Sequence, residues 1–166
     1  MEKIQGYIDH FIYFNETNGY GVIELYTEAE DIICVGSFGG IGQGENVEIT
    51  GHYVEHAVYG RQLKAESIKV LTPEDAYAME RYLAGGAIKG VGPALAKRIV
   101  SKFGNDTFRI MEEEPERLVE IKGISERIAG EIYRQFEEKR EMRQAMIFLQ
   151  KYGISNQLAV KIYQYY

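Results

Sequence analysis

One cysteine, three histidines, three prolines and no tryptophan stand among the 166 residues. A lone thiol excludes a disulfide-stapled scaffold and fits a reducing cytoplasm. Cys34 lies in the strand-like run Ile32-Ile33-Cys34-Val35-Gly36 and reads as a small core hydrophobe. His52 and His56 fall four apart in a strand and loop rather than on one helix face. With no cysteine pair and no nearby acidic cluster, no zinc site is expected. No apolar run approaches the roughly 18 residues of a membrane span, so no membrane partner is expected. The start, Met1-Glu2-Lys3-Ile4-Gln5-Gly6, lacks the basic start, apolar stretch and small-residue cleavage site of a secretory leader, in keeping with the cytoplasmic location expected from the lone cysteine. No Gly-x-x-x-x-Gly-Lys-Ser/Thr loop occurs: Gly85-Gly86 and Gly90-x-Gly92 lack the Lys-Ser/Thr that holds nucleotide phosphates. No Ser/His/Asp set is evident either. This chain is therefore read as non-catalytic, with no cofactor or metal of its own. The acidic run Glu112-Glu113-Glu114 reads as a solvated helix end.

Apolar residues make up 45% of the chain, enough for packed cores. The net charge of −6 is unevenly placed. Residues 1–72 hold 4 Lys/Arg against 11 Asp/Glu, a balance of −7, and residues 73–166 hold 15 against 14, a balance of +1. Anything that binds phosphate belongs mainly in the second part, through local placement of cations.

The two parts also differ in period. Segments at 3–14, 19–26, 32–38, 47–55 and 61–71 are rich in Ile, Val, Tyr and Phe, and Gly- and Asn-containing turns separate them. Five short strands point to a small closed barrel of the oligonucleotide/oligosaccharide-binding (OB) type, with an SH3-like barrel or open meander as alternatives. Tyr7, Phe11 and Tyr13 share strand parity and, with Tyr20, suit either base stacking or packing in the core or against another domain; the charge of −7 favours packing. Arg61 and Lys64 beside Tyr59 form a local cationic edge. Thr72-Pro73-Glu74-Asp75 reads as a helix start, with Thr72 as the cap. The fold class is thus α+β, with an OB-like barrel over 1–72 and an all-α domain over 73–166.

The helical part repeats. Gly90–Phe103, Gly123–Phe136 and Gly153–Tyr166 align without gaps. After each Gly comes Val or Ile, then a small residue. Apolar residues recur 5, 6, 9 and 13 positions on: Leu95, Ala96, Ile99 and Phe103 in the first copy, Ile128, Ala129, Ile132 and Phe136 in the second. These offsets trace one helix face. The helices before the turns are expected over 76–83, 115–120 and 128–151. A Gly-centred turn leaves backbone N–H groups bare at the start of the next helix, a place for a phosphate oxygen. The middle residues Val91, Ile124 and Ile154 plug the turns into the core. Lys89, Gly90, Val91, Gly92, Lys97 and Arg98 form the first candidate site; Lys122, Gly123, Ile124, Ser125 and Arg127 form the second. In the second and third copies Ser125 and Ser155 replace the second Gly. Serine tolerates positive φ poorly, which weakens those sites, and both serines also suit a helix N-cap.

The run from Ile88-Lys89-Gly90-Val91-Gly92 to Val100 resembles the helix-hairpin-helix (HhH) family of DNA-binding proteins. More of the chain is similar to the start of RecD-like DNA helicases: Phe14-Asn15-Glu16-Thr17-Asn18-Gly19-Tyr20-Gly21-Val22, Glu55–Lys64, Glu80-Arg81-Tyr82-Leu83 and Phe148–Ser155. The resemblance covers nearly all of the sequence. It implies an OB-like domain and an HhH array ahead of two RecA-like motor domains, in bacterial proteins of DNA repair and recombination often named exodeoxyribonuclease V alpha subunit. It implies a role in holding DNA, single-stranded or forked, for an ATP-driven 5′–3′ motor, with ATP and Mg confined to the motor domains. The end at Tyr165-Tyr166 reads as a cut in a longer chain. Two alternatives stand beside this reading. One is a RuvA-like Holliday-junction-binding protein. The other is an acidic barrel that binds a protein partner while the hairpins serve only structure. An HhH glycosylase is disfavoured: that family needs a catalytic Asp after the hairpin, and Asp106, the one aspartate downstream of the first hairpin, sits on no recognisable scaffold.

Overall fold

The computed structural model describes residues 1–154 and 156–165. The chain forms two compact units, Met1–Thr72 with Met142–Tyr166, and Pro73–Glu141.

Five strands build the first unit: β1 (Glu2–Phe14), β2 (Tyr20–Tyr26), β3 (Asp31–Ser37), β4 (Asn46–His56) and β5 (Gly60–Leu71). They close into a barrel in the order β1-β2-β3-β5-β4, the topology expected of an OB fold. All pairings are antiparallel except β3 with β5, where Cys34 faces Leu63 and Val35 faces Lys64. The long β1 serves two neighbours: Glu2 to Tyr7 pair with β4, and Tyr7 to Phe14 pair with β2. Such curvature needs close backbone approach. At Gly51, beside the register shift in β4, a Cβ would stand 2.0 Å from the Lys64 carbonyl oxygen. Ile8, Ile23, Leu25, Cys34, Phe38 and Leu63 fill the interior and are fully buried.

The end of the chain joins this core. Met146 and Ala159 are buried in it, with Met142, Leu149 and Ile154 packed at its margin. The Gln150 side-chain amide donates to the Ile68 carbonyl at 2.8 Å, and Arg143 lies 3.9 Å from Glu45 with both side chains almost wholly buried. Met142–Tyr166 therefore group with the barrel by their contacts. The cause is their apolar stripe, which has the helical period but finds its partner surface on the barrel.

The second unit holds α1 (Ala76–Ala84), α2 (Pro93–Phe103), α3 (Thr107–Glu113) and the first part of α4 (Glu126–Gln150), with 3-10 turns over Gly104–Asp106 and Pro115–Glu120. A last helix, α5 (Asn156–Tyr165), belongs to the barrel unit. One core runs through the repeat: Ala96, Ile99 and Phe103 from the first copy, Ala129, Ile132 and Phe136 from the second. Phe108 stacks edge-on against both Tyr82 and Phe136, with centroids 5.5 and 4.9 Å apart. The segment 115–120 is 3-10 rather than α, as its six residues are too few for a stable α-helix. Thr72 is not the cap of α1. Asp75 is, accepting the Ala78 N–H at 2.8 Å, while Asn105 accepts the Ala76 N–H at 2.7 Å. A carboxylate three residues nearer the helix outcompetes the threonine hydroxyl. Among the described residues no helix is long and apolar enough to cross a membrane.

Candidate nucleic-acid interface

Each hairpin turns on a glycine that no other residue replaces without strain. Gly90 has φ +91°, Gly123 +97° and Gly153 +73°. The position two residues later is different. Gly92 is the N-cap of α2 with φ −96° and ψ −174°, extended backbone open to any residue, and a Cβ there meets nothing within 4 Å. Every residue with positive φ among those described is a glycine, so Ser125 is unstrained. Its hydroxyl accepts the Ile128 N–H at 3.2 Å and its carbonyl the Ala129 N–H at 2.8 Å, as an N-cap does. The serine thus weakens nothing by backbone strain; what it does is occupy one donor of its own helix.

Val91 and Ile124 are buried in the helical core. Each closes a tight turn by donating its N–H to the residue three before it, Val91 to Ile88 at 3.2 Å and Ile124 to Ile121 at 3.1 Å. Around these plugs the N–H groups of Gly90, Gly92, Ala94 and Leu95 have no acceptor among the described residues, nor do those of Gly123, Glu126 and Arg127. Both groups lie at the positive end of a helix dipole, α2 of 11 residues and α4 of 25.

The cations sort into two kinds. Lys89, Lys97 and Lys122 are exposed, with no carboxylate oxygen within 4.0 Å among the described residues. Lys102 lies 3.5 Å from Glu120, and Arg127 lies 3.1 Å from Glu131, one turn along α4. Arg98 does something the sequence did not foretell. Its Nη1 donates to the Lys122 carbonyl at 3.2 Å, so the first repeat braces the second hairpin. Gln135 of α4 braces the first hairpin in turn. It accepts the Lys89 N–H at 2.8 Å and donates to the Lys89 carbonyl at 3.1 Å. The two hairpins are therefore cross-linked by side chains 24 and 46 positions away from their partners. No local pattern encodes such a pair, which is why Gln135 escapes a reading of the sequence. A shallow cleft of about 600 Å³ lies beside hairpin one, lined by Lys89, Gly90, Arg134, Gln135, Glu138 and Lys139.

The third hairpin differs in setting. Ile154 is half-buried against the barrel core, with its N–H given to Leu149 at 3.3 Å, and Ser155 lies outside the described residues.

On the barrel, Phe11 packs against Phe38, whereas Tyr13 and Tyr20 stand half-exposed. Tyr13 departs from the expected packing because β1 shifts register between Phe11 and Tyr13, and a bulge breaks strict alternation. Arg61 is occupied: its guanidinium lies 3.8 Å over the Tyr53 ring and 3.6 Å from Glu30. Cys34 is buried, and burial pushes its thiol up to about 12, so it stays protonated and inert.

Comparison with known proteins divides the chain in the same order. Residues 1–73 match the family model described as ATP-dependent DNA helicase YrrC, OB-fold domain. Residues 81–138 match the SAM-like helix-hairpin-helix tandem, and residues 138–166 the HHH domain of the ATP-dependent RecD2 DNA helicase. An ATP-dependent RecD2 DNA helicase of Deinococcus radiodurans is 25% identical over 131 residues, which make up 77% of this chain and 18% of that protein. The chain thus spans about a fifth of the length of this relative.

Proposed function

We propose that this chain, whose OB-fold and HhH domains match those of RecD-like DNA helicases, binds DNA without sequence preference and holds it for an ATP-driven 5′–3′ motor. The grip is made by backbone N–H groups at hairpins one and two on phosphate oxygens, with Lys89, Lys97 and Lys122 supplying charge. Such contacts fix position and carry no base information. The observation that carries this reading is the pair of donor-rich turns, each at a helix N-terminus, held to one another by Arg98 and Gln135. Single-stranded or forked DNA in the cytoplasm is the expected substrate. ATP and Mg act at motor domains outside these residues.

The barrel takes a protein partner rather than DNA. Its balance of −7 repels phosphate, and its one arginine near the β4–β5 turn is committed to Tyr53 and Glu30.

The test is a titration of labelled single-stranded, duplex and forked DNA at about 50 mM salt, with salt varied upward. Lys89→Ala with Lys97→Ala removes two cations without touching the turns. The slope of log K against log salt falls by about 1.8 on duplex if both contact phosphate. Absence of binding by the unaltered chain, or an unchanged slope in the variant, overturns the reading.

A further inference from the structure

The cleft beside hairpin one carries cations that the hairpins do not use. We infer that it is a second phosphate site, taking a further backbone phosphate of the strand held at hairpin one, with Lys139 and Arg134 of α4 as its contacts. This rests on the hairpin reading above.

Three observations support it. Gln135 uses both backbone groups of Lys89, at 2.8 and 3.1 Å, so α4 and hairpin one share a fixed wall of the cleft. Lys139 follows Gln135 by four residues, about 6 Å along a helix, and phosphates of one strand advance about 3.4 Å each along a duplex. A strand held at the hairpin therefore brings its next phosphate or the one after it to Lys139. Lys139 is half-buried, with no carboxylate oxygen within 4.0 Å among the described residues, so its stem rests on the cleft while its charge is uncommitted.

Arg134 is held differently. Glu138, one turn on, accepts from its Nη1 at 3.0 Å, and both side chains are about two-thirds exposed. A solvent-exposed pair of this kind exchanges its carboxylate for a phosphate at little cost. Glu131, the cleft's other acid, is turned to Arg127 at 3.1 Å. The cleft thus sets three cations, Lys89, Arg134 and Lys139, against two carboxylates. Its acids hold affinity down, and removing one raises it. A purely structural α4 surface gains nothing in binding when an acid is neutralised.

The experiment uses the whole chain, labelled single-stranded, forked and duplex DNA and a salt series, with four proteins: unaltered, Lys139→Ala, Glu138→Gln and Lys3→Ala as a lysine control in the barrel unit, each checked by thermal melting. Lys139→Ala lowers the slope of log K against log salt by about 0.9 and weakens binding about tenfold at 50 mM salt. Glu138→Gln tightens binding roughly two- to fivefold. Lys3→Ala matches the unaltered chain. If the unaltered chain binds and Lys139→Ala keeps its slope, or Glu138→Gln binds no better, the cleft is not a phosphate site and the hairpin reading stands. If the unaltered chain binds no DNA, both fall.

Discussion

Gly90 and Gly92 differ by two positions and by everything that matters to a substitution. Gly90 has φ +91° and open space, with nothing within 4 Å of where a Cβ would stand, so replacement by alanine meets a torsional cost alone. That cost is about 1–2 kcal/mol for an L-residue in the left-handed region. Gly92 has φ −96° and equally open space. Serine there is free of strain, narrows the unfolded ensemble and supplies a cap oxygen for the Leu95 N–H, as Ser125 does for Ile128. The gain is about 0.5–1 kcal/mol. The two variants should therefore lie about 2 kcal/mol apart, on opposite sides of the unaltered protein. Urea unfolding followed by far-ultraviolet circular dichroism reads this as midpoints separated by about 1 M at equal m-value. Binding should move the other way for Gly92→Ser. Its hydroxyl occupies a donor that a phosphate would use, so the more stable protein binds DNA more weakly. Ser125→Gly gives the mirror result, a slightly less stable chain that binds more tightly. A Gly92→Ser protein as unstable as Gly90→Ala, or a neutral Gly90→Ala, refutes this account of the turn.

Four further outcomes follow from particular contacts. Arg98→Lys keeps a charge but loses the planar fork that reaches the Lys122 carbonyl; affinity for DNA should drop severalfold with the salt slope unchanged, and Arg98→Ala should weaken binding in the same way. Asp75→Ala should cost about 1 kcal/mol in urea unfolding and Thr72→Ala close to nothing, because the aspartate caps α1. Gly51→Ala should cost about 3 kcal/mol or more, roughly the upper range for overpacking, since its Cβ would stand 2.0 Å from a backbone oxygen; loss of the far-ultraviolet β signal at moderate urea checks it. The Cys34 thiol, at about 9 in the unfolded chain and pushed up to about 12 by burial, has a raised folded value. Its contribution is complete below pH 9 and is lost as pH rises from 9 to 12, by up to about 1.4 kcal/mol per pH unit. Unfolding of the unaltered chain should therefore steepen with pH in that window relative to Cys34→Ala.

The barrel was legible because its signals are local. Alternating Ile, Val and Tyr runs broken by Gly turns give strands within a residue or two of β1 to β5, and five strands without helices leave few closed topologies. The hairpins were legible through their repeat, since Ala96 and Ala129, Ile99 and Ile132, Phe103 and Phe136 must each meet the same kind of neighbour. What escaped detection was of two kinds. One was pairing at long range: Gln135 with Lys89 and Arg98 with Lys122 depend on how repeats pack, and a polar residue on an exposed helix face looks alike whether it holds a carbonyl or water. The other was allegiance. The third copy has the same apolar stripe as the first two, but a stripe specifies burial and not a partner. Ala159 and Met146 find theirs in the barrel core.

That difference bears on what the third copy does. In hairpins one and two the buried residue, Val91 or Ile124, anchors the turn in the helical core. In hairpin three the corresponding Ile154 lies against the barrel core. The same short pattern thus does two jobs in one chain, and the surface that its apolar residue meets, not the pattern, separates them. Gly153→Ala should accordingly disturb barrel stability, while Gly90→Ala disturbs the helical repeat.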